Sequence, residues 1–178
     1  TEAGIVIGNH VFNHNAALTQ VDNLDKVVQV GDYAFANTGI ISANISENAV
    51  YGEGVFFQSK IESVTIGKNA QFGLGAFQSC KNLKTVNMPE EGGVHFGVTC
   101  FAYDEMLETI DLSKTDSIIE DQTFYGCKNL KKAHLENVKE VGEYAFSDCS
   151  TLSYVSLPVV EKIKEGAFSR NAEDGGAP

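Results

Sequence analysis

Cysteine and histidine are the residue types in this sequence that would carry nucleophilic or metal chemistry, and each occurs four times. No two cysteines have the C-x-x-C spacing of a zinc site, and no histidine has a second candidate ligand at metal-binding spacing. No G-x-S-x-G, H-E-x-x-H or phosphate-binding glycine loop is present. The histidines are His10, His14, His95 and His134. We therefore predict a chain that is not an enzyme and that uses no metal or cofactor.

Paired carboxylates are a second type of candidate site, because oxygen-rich clusters bind calcium. The pairs are Glu90 with Glu91, Glu120 with Asp121, and Glu173 with Asp174. No oxygen-rich residue recurs at a regular interval, as it would in a calcium-binding β-roll. These pairs are therefore interpreted as parts of solvated loops.

The charge balance excludes two classes of partner. Thirteen basic and 24 acidic residues give a formal net charge of −11 and a pI near 4.7. This charge opposes binding to phosphate backbones and to anionic lipid. The sequence also has no run of 18 apolar residues that would span a bilayer. We expect neither a nucleic-acid partner nor direct insertion into a membrane.

The elements that would position any functional side chain follow a repeat marked by phenylalanine. Eight of the 11 phenylalanines follow one another at intervals of 21 to 24 residues. They are Phe12, Phe35, Phe56, Phe77, Phe101, Phe124, Phe146 and Phe168. A unit of this length buries its apolar side only by stacking on further copies, which is the signature of a solenoid.

Two other columns of the repeat predict local structure. Four residues before the phenylalanine, glycine occurs in six copies, which indicates either a positive φ or a close approach of two backbones. These glycines are Gly8, Gly31, Gly52, Gly73, Gly97 and Gly142. Later in each repeat an alternating apolar pair, such as Val64 and Ile66, predicts a half-buried strand.

The predicted fold is a right-handed leucine-rich repeat superhelix of about eight coils of 21 to 24 residues. One parallel β-sheet of about seven strands would cover one face, ending near residues 154–157, with short helical turns and loops on the other face. The chain is treated as one domain, 1–178, with repeats over 1–170 and a tail over 171–178. Asn23 breaks the apolar pattern of the first coil, and residues 89–93 are expected to form a bulging loop.

One stretch shows the repeat most clearly, and it resembles a known family. Residues 142–158 contain Gly142, then Ala145 and Phe146, then Cys149 and Leu152, and end in V-S-L-P. This consensus resembles the BspA-like leucine-rich repeat. The resemblance implies an extracellular or cell-surface location and adhesion to host proteins, such as host matrix, or to another cell surface. Such proteins occur in anaerobic bacteria of mouth and gut and in some parasitic protists.

The outward positions of the predicted sheet form the candidate binding surface. A parallel sheet in a coil presents one side chain per repeat in register, and toward the C-terminal end these positions combine charge, imidazole and one aromatic ring. The candidate binding residues are Asp111, Lys132, His134, Tyr154 and Ser156. We predict a non-catalytic protein- or glycan-binding module, and the alternative is a structural spacer without a specific ligand.

The cysteines have a structural interpretation. Cys80, Cys127 and Cys149 each follow their phenylalanine by three residues, in a column otherwise occupied by small or polar side chains. Those side chains are Asn15, Thr38, Ser59, Asp104 and Asn171. A disulfide between Cys127 and Cys149 is the alternative, but stacked coils give parallel side-chain directions that suit S–S geometry poorly. We predict four free thiols.

Because no strand follows Phe168, end-to-end self-association is a further expectation.

Overall fold

The computed structural model describes residues 4–114 and 118–170 and shows a β-solenoid of parallel strands. Between the first and the last of the eight phenylalanines the chain makes about seven full turns. Successive coils are joined by backbone hydrogen bonds even at these positions, as from the Phe35 N–H to the Val55 carbonyl at 2.8 Å. The predicted leucine-rich repeat solenoid is confirmed.

One ladder of short parallel strands lies just before the phenylalanine column, and we call it the first ladder. Its strands pair in register from coil to coil, and single bridges through Ile119 connect the fifth strand to the sixth. The strands are Ile5–Ile7, Val27–Val30, Val50–Tyr51, Gln71–Phe72, His95–Phe96, Glu140–Val141 and Lys162–Ile163. The sequence analysis expected a single sheet, so this ladder corrects the prediction. The apolar residue five positions before each phenylalanine is a strand residue rather than part of a loop.

The strands predicted from the alternating pattern form the second ladder. In each, the central side chain is buried or half-buried and the two flanking side chains face outward. The strands are Ser42–Asn44, Ser63–Thr65, Thr85–Asn87, Thr109–Asp111, Lys132–His134 and Tyr154–Ser156. The last strand lies where it was predicted.

The second ladder is shorter and less continuous than predicted. It has six strands among the described residues, in two sheets of three, instead of about seven in one sheet. The first coil forms no strand there, because Asn23 adopts a left-handed φ of 62° and leads into a 3-10 helix, Leu24–Lys26. The division into two sheets falls between Thr85–Asn87 and Thr109–Asp111. The predicted loop over residues 89–93 lies in this interval, and it contains no strand and includes Gly92 at φ 93°.

The segments around the phenylalanines are turns, which corrects the expectation of short helical turns. Among the described residues the 3-10 helix at Leu24–Lys26 is the only helix. In the first seven coils a residue two positions before the phenylalanine and another two positions after it take left-handed backbone. In the second coil these are Tyr33 at φ 52° and Asn37 at φ 56°. A left-handed residue ends any right-handed helix, so two of them around one phenylalanine leave no room for a helical turn.

The phenylalanines form a stack along the core of the solenoid. Neighbouring ring centroids are 5.0 to 5.4 Å apart and the rings are within 12° of parallel. The six inner rings are fully buried, whereas Phe12 is half-buried and Phe168 is 36% exposed. Burial of the ring is therefore complete in the inner coils and incomplete at the two ends of the stack. Each end ring has a stacking partner on one side only among the described residues.

The recurrent glycine four residues before the phenylalanine is explained by close approach of two coils. Its φ is not positive, so that alternative is wrong. A Cβ added to Gly31 would lie 2.5 Å from the Asn9 backbone nitrogen, and at Gly52 it would lie 2.7 Å from the Asp32 nitrogen. Both distances are shorter than real Cβ atoms tolerate, so glycine sets the spacing of the coils at this corner.

Candidate functional site

The predicted binding residues lie together on the outward face of the last three strands of the second ladder. Register places Thr109, Lys132 and Tyr154 in one row across the coils. It places Asp111, His134 and Ser156 in a second row. With strands about 4.8 Å apart and residues about 3.3 Å apart along a strand, the face measures about 10 Å by 7 Å. We call these six residues the C-terminal face.

The aromatic part of the C-terminal face is formed by His134 and Tyr154. Their ring centroids are 5.2 Å apart with an interplanar angle of 47°. Tyr154 is 47% exposed, so much of its ring contacts solvent. An exposed ring of this kind offers an apolar surface and a hydroxyl to a ligand at low conformational cost.

Asp111 provides a negative charge on this face. The Ser113 N–H donates to Asp111 Oδ1 at 2.9 Å. Partial burial raises the pKa of the Asp111 carboxyl, but the hydrogen bonds from Ser113 and the nearby His134 and Lys114 outweigh it, so the pKa is lower than usual. The group is therefore an acceptor at neutral pH and a candidate partner for a cation or a sugar hydroxyl.

Lys132 provides the positive charge. It is exposed and has no carboxylate partner among the described residues, unlike the adjacent Lys131, which pairs with Glu108 at 2.9 Å. Its neighbours across the ladder are the uncharged Thr109 and Tyr154. An ammonium without an ion pair is available to a ligand without first breaking a salt bridge.

The sequence analysis did not identify Glu136 as part of this region. Glu136 Oε1 lies 3.5 Å from His134 Nδ1, and its other carboxylate oxygen is buried without a hydrogen-bond partner. The only signal in the sequence is that Glu136 continues the outward alternation of Lys132 and His134 by one further position. It lies beside the second row, two residues past His134 and beyond the end of that strand.

A cleft at the opposite end of the second ladder was also missed. It has a volume of about 540 Å³ and is lined by residues 19–25 and 41–44. It exists because the first coil does not pair with Ser42–Asn44. Its carboxylates, Asp22 and Asp25, make it acidic, but one of them already accepts a hydrogen bond from Gln20 at 2.7 Å.

Three of the paired carboxylates considered as calcium ligands have partners within the chain. Glu91 contacts Lys68 at 2.5 Å, and Glu90 contacts Lys114. Asp121 Oδ1 accepts the Glu143 N–H at 2.7 Å. Glu173 and Asp174 lie outside the described residues, as does Asn171 of the cysteine column. In residues 4–114 and 118–170 no three His, Cys, Asp or Glu side chains are grouped to hold a metal ion.

The cysteines are buried free thiols. Burial raises the pKa of Cys149 to about 12 and raises the pKa of the other three thiols well above 9.0. Since the thiolate is the reactive form, these groups are inert in the folded chain. None of them contributes to the C-terminal face.

The described part of the chain also contains no helix with the length and apolarity needed to cross a bilayer.

Two ladders of parallel strands around a phenylalanine stack define a leucine-rich repeat solenoid, and comparison with known proteins makes the assignment more specific. The model of the BspA type leucine-rich repeat region matches six copies, over residues 2–93 and 50–173. The chain belongs to this family. Among curated proteins no match is found.

Solved structures show the same fold. A leucine-rich repeat protein from Bacteroides ovatus has a TM-score of 0.62 at 22% identity, over 89% of this chain and 51% of that one. A leucine-rich repeat protein from T. pallidum has a TM-score of 0.56 at 18% identity, over 84% of this chain and 83% of that one. This chain therefore spans about half the length of the first of these relatives.

Proposed function

We propose that this chain is a non-catalytic recognition module that binds a protein or a glycan on the C-terminal face. The observation that carries the proposal is the grouping of Lys132, Tyr154 and Asp111 within three adjacent strands, each exposed and held in register by the ladder. A rigid sheet positions such side chains before the ligand arrives, which lowers the entropy lost on binding.

The rest of the second ladder provides a contrast that supports this choice. Its six outward positions over the strands from Ser42–Asn44 to Thr85–Asn87 are polar, and none of them has a charge or an aromatic ring. Interface hot spots are enriched in aromatic residues, above all Trp and Tyr, and in Arg. The C-terminal face is the part of the ladder with that composition.

The family membership supports a surface role within the proposal. A repeat solenoid commonly acts through an extended binding surface rather than a catalytic pocket. The location that goes with the proposal is the cell surface or the extracellular space, with a ligand on another cell or in host matrix. Surface biotinylation of cells that express the parent protein would test the location separately from the binding.

The binding experiment compares the chain with two double variants on an array of glycans and matrix proteins. Lys132→Ala with Tyr154→Ala removes the cation and the ring of the C-terminal face. Ser42→Ala with Thr85→Ala is the matched control, because both residues are outward on the same ladder and lack these groups. Circular dichroism melts would establish that all three chains are folded.

We expect the unaltered chain to bind at least one array member and the control variant to bind it equally well. Loss of the ring and the cation should weaken binding by at least tenfold, since a hot-spot residue contributes about 2 kcal/mol or more. Equal binding by both double variants would refute the C-terminal face. Absence of any binding by the unaltered chain would favour the spacer alternative instead.

A further inference from the structure

The three cysteines in the column three residues after the phenylalanine share one hydrogen-bonding pattern. Cys80 Sγ donates to the Phe56 carbonyl at 3.0 Å, and Cys127 Sγ donates to the Phe101 carbonyl at 3.1 Å. In each case a thiol of one coil donates to the phenylalanine carbonyl of the coil before it. Cys149 follows the same rule, with the Phe124 carbonyl at 3.2 Å. Each of these phenylalanine carbonyls also accepts a backbone N–H of its own coil, as Phe101 accepts the Asp104 N–H at 3.3 Å, so the thiol is a second donor to the same oxygen.

Asp104 occupies the slot between Cys80 and Cys127. It is 0% exposed, and neither of its carboxyl oxygens has a hydrogen-bond partner within residues 4–114 and 118–170. By the pattern of the column, its slot presents the Phe77 carbonyl of the preceding coil. An ionised carboxylate has no proton to donate, so it would face a carbonyl oxygen in a dry interior without compensation.

No cation balances this carboxyl. Asp104 forms no ion pair among the described residues, and the titratable groups that face it are the thiols of Cys80, Cys100 and Cys127. Burial raises the pKa of the Asp104 carboxyl well above 3.8, and the nearby Cys80 N–H only partly opposes this. The three thiols are neutral as well, because burial raises their pKa values.

We propose that Asp104 is held in the fold as a neutral carboxylic acid that donates its proton to the Phe77 carbonyl, and that it acts as a built-in pH sensor of solenoid stability. The protonated acid can donate to this carbonyl beside the Cys80 N–H, as the S–H groups of Cys80 and Cys127 do in the neighbouring coils. Loss of this proton leaves a buried negative charge in the middle of the stack. The fifth coil then becomes the point at which a rise in pH above about 4 destabilises the solenoid.

The direction of the pH dependence follows from proton linkage. The folded chain keeps this proton to a higher pH than the unfolded chain, whose aspartate titrates near 3.8. The stability contributed by the protonated group is complete below about pH 4 and decreases as the pH rises toward the folded pKa. One proton changes the folding equilibrium constant by up to a factor of about ten per pH unit in that window.

The test compares the chain with Asp104→Asn in urea unfolding experiments from pH 4 to pH 8. Asparagine has nearly the same shape, donates an N–H to a carbonyl and does not titrate. Asp25→Asn is the matched control, because Asp25 is an exposed carboxylate elsewhere in the chain. Taking the difference in unfolding free energy between the unaltered chain and each variant at each pH removes the contribution of all other titrating groups.

We expect the folding constant of the chain, relative to that of the Asp104→Asn variant, to fall by up to about 100-fold between pH 5 and pH 7. The ratio to the Asp25→Asn variant should stay nearly constant. A ratio to Asp104→Asn that does not change with pH would overturn the proposal. If Asp104→Asn does not fold, Asp104→Cys, which restores the thiol of the column, replaces it.

Carboxyl ¹³C NMR provides a readout that is independent of stability. The Asp104 resonance, assigned by its loss in the variant, should keep the chemical shift of a protonated acid at pH 6. A carboxyl that titrates near pH 4, like an exposed aspartate, would contradict the assignment of a neutral acid.

Discussion

Removing one ring from the middle of the phenylalanine stack tests the physical basis of the fold. Phe124 is 0% exposed and stacks on Phe101 at 5.3 Å and on Phe146 at 5.0 Å. Phe124→Ala removes the transfer energy of a fully buried ring and leaves a cavity, which costs about 3 to 5 kcal/mol. Two ring contacts are lost as well, at about 0.5 to 1.5 kcal/mol each, so the upper part of that range is expected.

Phe168→Ala is the internal comparison for this prediction. Phe168 is 36% exposed and stacks on Phe146 alone, at 5.3 Å. It loses one ring contact and only part of the burial energy, which predicts a cost of about 1 to 2 kcal/mol. The two variants therefore differ by position in the stack and not by chemistry.

Urea unfolding followed by far-UV circular dichroism measures both costs, since the chain has no tryptophan for fluorescence. The midpoint of Phe124→Ala should shift by at least twice as much as that of Phe168→Ala. Equal shifts, or a cost below about 1 kcal/mol for Phe124→Ala, would refute the stack as the main support of the core.

Three further predictions concern the corner glycines, the thiols and the surface charges. Gly52→Ala should lower thermal stability by about 1 to 3 kcal/mol, because the new Cβ meets the Asp32 backbone. Gly8→Ala should change thermal stability by less than about 0.5 kcal/mol, because its new Cβ has its nearest contact at 3.7 Å. Equal effects would argue against close approach as the reason for glycine. The four thiols should be unreactive in the folded chain at pH 8, and a thiol reagent should find four after unfolding; finding two would indicate a disulfide. Lys84→Ala breaks the exposed pair with Glu62, 3.2 Å apart, and should cost less than about 1 kcal/mol in the same melts.

Sequence patterns predict those parts of this fold that depend on burial. The inner phenylalanines and the central residues of the second ladder, such as Val64 and Ile110, recur as apolar side chains and are buried as expected. The first ladder was not predicted because strands as short as Val50–Tyr51 contain no alternation to detect. Their pairing depends on the stacking of the coils, which no local pattern encodes.

Backbone conformation was harder to predict than burial. The left-handed position two residues before the phenylalanine holds His10, Tyr33, Thr99, Gln122 and Tyr144, as well as glycine in other coils. These residue types share no propensity that would identify the position, because the coil-to-coil hydrogen bonds impose the conformation. A positive φ was one of the two interpretations of the glycine column. Glycine is needed there because two backbones approach closely.

The candidate face was predictable as a set of outward positions, because strand alternation and register follow from the repeat. The position of Asp104 in the column of cysteines was also visible in the sequence. Its meaning required the structure, since only the burial and the missing hydrogen-bond partners show that a charged form does not fit. The acidic cleft near Asn23 lies where the first coil forms no strand to pair with Ser42–Asn44.

Amide hydrogen exchange, measured by mass spectrometry with and without a ligand from the binding array, tests most directly whether the C-terminal face is the functional surface. We expect a bound ligand to slow exchange in peptides that contain residues 109–111, 132–134 and 154–156. Peptides of the first ladder, such as those containing residues 50–51 and 71–72, should be unchanged. Protection on the first ladder or in the cleft at residues 19–25, with none on the three C-terminal strands, would contradict it.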